Sequence, residues 1–256
     1  MRTLLRASGM SLALVVACSL AYASDAPRPS AAPYSWSGVF VGAQGGYAWG
    51  VEDDDLDAVL AAPADHFRAE GPLGGARVGY DRQFGALVIG FVGEIDATNQ
   101  AGATTDGAKV CETGCKLTEA SLKFQNKWQG YLLGRAGVAF DRLLVFAEGG
   151  LSLGDDDESM TATQVLYPPN SNRPPTLLGA WDGSRRQTLA GGALGLGAEY
   201  ALDDHLRVGS EWRLAEFARG NDPANLVYSG HGGVSAATYK AGFSENLAVL
   251  DLSYRF

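Results

Sequence analysis

Leu206-Arg207-Val208-Gly209-Ser210-Glu211-Trp212-Arg213-Leu214 reads as an extended chain with two unlike sides. Leu206, Val208, Ser210, Trp212 and Leu214 share one face, and Arg207, Gly209, Glu211 and Arg213 share the other, because side chains on a strand alternate with period two. Segment 86–96 repeats the pattern, with Leu87, Ile89, Phe91, Gly93 and Ile95 opposing Glu94 and Asp96. Segment 246–256 sets Ala248, Leu250, Leu252, Tyr254 and Phe256 against Asp251, Ser253 and Arg255, and 73–82 sets Ala76, Val78 and Tyr80 against Arg77 and Asp81. Single charges mark the polar side elsewhere: Arg135 in 127–140, Glu148 in 143–153 and Glu199 in 188–202. With 38–49 and 205–214 these segments predict eight strands, most of about ten residues, the length a tilted strand needs to cross a bilayer. A soluble sandwich buries its apolar face and wets its charged one. A membrane barrel inverts that arrangement, and aromatics at the strand ends (Tyr47, Trp49, Tyr80, Trp128, Tyr200, Trp212, Tyr254 and Phe256) suit its interfacial girdles.

The connections separate the two. Gln83-Phe84-Gly85, Asp141-Arg142 and Asp203-Asp204 are tight, whereas 50–72, 97–126, 154–187 and 215–245 are long. Long and short alternate along the chain, as they do in an up-and-down barrel with short periplasmic turns and long outer loops. The expected fold is therefore all-β, an eight-stranded antiparallel up-and-down transmembrane β-barrel. The 34 glycines among 256 residues fit such a wall, since Gly on a strand relieves crowding at bends and close approaches.

Composition narrows the rest. A formal net charge of −9 argues against a nucleic-acid partner, which needs a basic footprint. Arg2 and Arg6, the apolar run Met10–Leu20 and Ala21-Tyr22-Ala23 form the three regions of a secretory signal. The expected division is a signal peptide at 1–23, a Pro/Ala-rich periplasmic linker at 24–35 and the barrel at 36–256. Val15-Val16-Ala17-Cys18 offers a rival lipoprotein cleavage. Cleavage after Ala23 leaves Cys111 and Cys115 as the exported thiols, and a close pair in an oxidising compartment reads as a disulfide.

Several stretches together look familiar. Trp36-Ser37-Gly38-Val39-Phe40-Val41-Gly42 resembles the first strand of the small outer-membrane β-barrel family, the porin-family or OmpA-like barrel proteins, with Val39 where that family usually has an aromatic. Gly79–Gly85 followed by Gly93-Glu94-Ile95-Asp96 is similar to its second hairpin, and Arg135–Arg142 followed by Glu148-Gly149-Gly150 to its central one. Gly197-Ala198-Glu199-Tyr200 with Glu211-Trp212-Arg213 resembles the third. The ending Tyr254-Arg255-Phe256 resembles the aromatic signal read by the barrel-assembly machinery. The resemblance implies an integral outer-membrane protein in contact with lipid and lipopolysaccharide. A peptidoglycan-binding domain, which some similar barrels carry, is not expected.

The predicted inward set is Arg77, Asp81, Glu94, Asp96, Arg135, Glu148, Glu199, Arg207, Glu211, Arg213, Asp251 and Arg255. An eight-stranded barrel has room only for side chains to fill it, so these charges read as a paired plug. The other reading is a narrow, weakly cation-preferring path. Glu52–Asp55 with Asp57, and Asp155–Glu158, read as solvated loop charges, or as bridges through divalent cations to lipopolysaccharide phosphates. No cofactor or metal site follows from the sequence. Ser229 and His231 are the one pair that keeps a rim enzyme acting on lipid A or peptides in view; the expectation is a non-enzymatic envelope protein with surface loops open to a ligand.

Overall fold

A computed structural model describes residues 34–54, 67–111, 115–168, 174–218, 224–230, 233–239 and 241–256. Their strands are β1 (Gly38–Asp54), β2 (Phe67–Phe84), β3 (Leu87–Cys111), β4 (Cys115–Phe140), β5 (Leu143–Tyr167), β6 (Thr176–Ala201), β7 (Leu206–Phe217), β8 (Ala224–Gly230), β9 (Gly233–Tyr239) and β10 (Ala241–Arg255). Each of β1 to β6 pairs antiparallel with the next, β7 pairs with β10, and β10 pairs with β1. Eight strands thus close into a ring, which leaves no unpaired edge for lipid to meet. The hairpin β8–β9 lies outside that ring, hydrogen-bonded to β6 at Gly179–Asp182.

The alternation fixes which face looks out. Leu194, Leu250 and Ile95 are 68, 66 and 62% exposed, whereas Asp81 and Arg207 are 0% exposed. Only an apolar solvent around the ring makes that distribution favourable. Three tight turns set the register at one end. Gly85 (φ 65°) and Asp141 (φ 53°) occupy the left-handed region, which Gly enters freely and Asp tolerates better than most residues. At the third turn, the Asp203 carboxylate accepts hydrogen bonds of 2.7 Å from the backbone N–H groups of His205 and Leu206. Those two donors hold its carboxyl below the usual Asp range.

Strand lengths depart from expectation. The segments predicted as 97–126, 154–187 and 215–245 loops are largely strand: β3, β4, β5 and β6 run to 25 or 26 residues. About ten residues suffice to cross the bilayer, so the ends of these strands stand beyond it as a paired wall. Lipid no longer dictates an apolar outer face there, and the alternation that marks the spanning part fades. Cys111 and Cys115 are joined across the tip of the β3–β4 hairpin. The linker also ends earlier than predicted, because Tyr34 is buried. Residues 1–33, 55–66 and 231–232, which include Cys18, the predicted signal peptide, Asp55, Asp57 and His231, lie outside the described residues, as do the side chains of Glu52–Asp54 and Ser229.

The lumen as candidate functional site

The inner face is stacked in layers. At the mouth carrying the tight turns, Trp36 is buried, its Nε1 donating to the Asp141 carbonyl at 3.0 Å and its backbone N–H to Gln83 Oε1 at 2.8 Å. The Tyr34 backbone N–H donates to Asp141 Oδ1 at 3.1 Å, and its ring meets Trp36 edge-on at 5.0 Å. Arg255, placed in the lumen by its parity, is half-buried at this rim. Its guanidinium donates to the carbonyls of Ser37 and Asp204 and lies over the Tyr34 ring. The other eleven predicted inward charges are all buried.

The next layer is balanced. Arg135 grips Asp81 with Nε and Nη2 at 2.8 and 2.7 Å and Glu199 with Nη1 at 2.5 Å. Arg207 joins the same two carboxylates at 3.1 and 3.3 Å. Phe40 supplies a ring face to both guanidinium groups, at 5.0 and 4.4 Å, where the ring quadrupole attracts cations. These contacts cross the lumen, tying β4 and β7 to β2 and β6. Above them, Arg77 pairs with Asp251 at 2.8 Å and Glu94 at 3.3 Å. Arg213 contacts Glu94, Glu148 and Glu211 at 2.8, 2.9 and 2.8 Å. Carboxyl oxygens of those three Glu side chains lie within 4.8 Å of one another.

The third layer exchanges arginine for amides. Gln44 Nε2 donates to both Asp96 oxygens at 2.8 and 2.9 Å, and Gln129 Nε2 donates to Glu245 at 3.0 Å. The Tyr131 hydroxyl lies 3.2 Å from Glu245 and 2.9 Å from Gln129 Oε1. Farther out, Phe124, Phe217 and Phe243 form an aromatic collar, with centroids at 4.9 and 6.0 Å from Phe243, beside the buried Leu122, Met160 and Leu189.

Beyond the collar the acidic run is not the solvated loop the sequence suggested. Asp155, Asp156 and Glu158 are buried, and β6 brings partners to them. Arg185 contacts Asp156 and Glu158 at 3.0 and 2.9 Å, Gln187 donates to Asp156 at 2.9 Å, and Arg186 pairs with Asp155 at 3.2 Å. The Asp156 carboxyl lies outside the bilayer, and burial beside Glu158 pushes it up to about 7. Glu245 and its amide partners were missed, since 215–245 reads as loop; extending the parity of Asp251 and Ser253 backward would have placed Glu245 inside.

What this arrangement can do is hold eight strands together from within. A buried charge is tolerable when paired and hydrogen-bonded, and each layer supplies such partners from facing strands. The layers leave the lumen filled by side chains among the described residues.

The chain matches known proteins along nearly its full length. A model of the outer membrane protein beta-barrel domain matches residues 10–256. The 31 kDa outer-membrane immunogenic proteins of Brucella melitensis and Brucella suis are each 28% identical over 209 residues, 77% of this chain and 79% of theirs. Among solved structures, OprG of Pseudomonas aeruginosa is 13% identical with a TM-score of 0.41, covering 88% of this chain and 98% of its own. Ail of Yersinia pestis is 11% identical with a TM-score of 0.34, covering 86% and 99%. On the family match, the protein is an outer-membrane β-barrel and belongs to the family of outer-membrane protein β-barrel domains.

Proposed function

We propose that this barrel is a non-enzymatic scaffold of the Gram-negative outer membrane, reinforcing the envelope and displaying its strand extensions at the cell surface. The filled lumen carries the reading. Trp36 stops one mouth, the Phe124–Phe217–Phe243 collar crosses the other end, and cross-lumen ion pairs occupy the space between. The Brucella relatives are named as immunogenic outer-membrane proteins, which supports display to the outside. Export would follow cleavage after Ala23, and Tyr254 and Phe256 would mark the last strand for the assembly machinery. Lipid surrounds the apolar belt, and lipopolysaccharide would meet the outer part of the wall.

Planar-bilayer recording of refolded Ser24–Phe256 tests the reading, with folding verified by the heat-dependent gel shift of closed barrels. The expected result is a folded, silent barrel. Reproducible discrete steps would replace the scaffold with a narrow ion path, and altered lipid A in a deletion strain would point to rim catalysis.

A further inference from the structure

Glu148 of β5 and Glu211 of β7 approach each other in the lumen, with carboxyl oxygens within 4.8 Å of one another. Arg213 occupies one side of the pair, with Nη2 on Glu148 Oε1 and Nε on Glu211 Oε1. The second oxygens, Glu148 Oε2 and Glu211 Oε2, are buried and have no hydrogen-bond partner. The side chains are 0 and 1% exposed. β6 makes room for this approach: a Cβ on Gly195 would lie 2.7 Å from Glu211 Oε1 and 3.1 Å from Glu148 Cγ.

The surroundings cannot neutralise both. Arg213 from β7 contacts both and also Glu94 from β3, while Arg77 from β2 joins Glu94 to Asp251 from β10, and the Tyr131 ring of β4 lies under the Arg213 guanidinium. Two guanidinium groups therefore serve four carboxyls, and Arg213 already contacts three of them. Two ionised carboxylates this close and away from water repel each other and leave two orphan acceptors. One hydrogen held by the pair removes the repulsion between two like charges.

We propose that Glu148 and Glu211 form a proton-binding site in the lumen, one proton bridging the two carboxyl groups at neutral pH. The site stands whether or not the lumen conducts ions. Infrared spectroscopy of protein labelled with ¹³C at glutamate carboxyls, folded in lipid at neutral pH, reads it directly. A protonated-carboxyl C=O stretch is expected, and it should lose one carboxyl's intensity in Glu211→Gln and again in Glu148→Gln taken singly. Either amide can donate where the proton sat, so each variant should still show the heat-dependent gel shift. Absence of the band in the wild type, or an unchanged band in both variants, would overturn the assignment. Wild-type protein treated with Mg²⁺ or Ca²⁺ provides a second measurement, independent of whether the variants fold. No change is expected; loss of the band with a higher urea midpoint would make the pair a cation site instead.

Discussion

The two halves of the lumen solve the same burial problem with different chemistry. Near the tight turns, Arg135 and Arg207 stand against Asp81 and Glu199, two cations for two anions. Toward the outer end, Asp96 and Glu245 have amide and hydroxyl donors and, among the described residues, no guanidinium at ion-pair distance. A planar guanidinium offers five donors in a fixed fork and can tie several strands at once, as Arg135 of β4 does with β2 and β6. An amide offers two, so each outer carboxyl is tied to fewer places. The difference teaches that the layers nearest the turns are held by charge, and the layer of Asp96 and Glu245 by neutral donors.

Breaking that contrast should begin with Arg135→Ala, which strips Asp81 and Glu199 of their main partner. Removing one side of a buried pair costs about 3–5 kcal/mol, to be read as a lower urea midpoint in lipid. Gln129→Leu orphans Glu245 only in part and should cost about 1–3 kcal/mol in the same assay. A Gln129→Leu loss equal to that of Arg135→Ala would mean that both layers hold the barrel equally.

The outer wall offers a smaller, local test. Folding raises the Asp156 carboxyl from 3.8 to about 7, so the folded outer wall binds its proton more tightly than the opened one. Protection should therefore be greatest at acid pH and fall as pH rises through that window toward 7. Amide exchange along β5 and β6 beyond Gly154 is the measurement, and Asp156→Asn should flatten its pH profile. The smallest effect is expected from reducing Cys111–Cys115. That bridge closes a hairpin tip already paired along β3 and β4, so the global midpoint should hold while exchange quickens at the tip.

Much of this was legible because a bilayer forces a simple rule on each spanning strand. Arg207, Glu211 and Arg213 declared their side by parity alone, and the turn at Asp141-Arg142 was visible as a break between two alternating runs. Pairing was another matter. That Arg213 reaches Glu94 and Glu148 depends on strand tilt and stagger around a closed ring, which no single segment encodes. The burial of Asp156 and Glu158 escaped for a related reason, since their partner Arg185 lies on β6 and reaches them only through register. Tyr34 looked like linker because one aromatic among prolines carries no periodicity; its seat is made by Asp141, Arg142 and Arg255, all distant in the chain.

The seam between β1 and β10 has a consequence for how the molecule comes into being. It runs from Phe40 opposite Arg255 to Asp54 opposite Ala241, joining the ring strands that lie farthest apart along the chain. The first strand cannot complete its ladder on that side until β10 is present. Closure therefore depends on β10, and a product halted before it has no route to a finished wall.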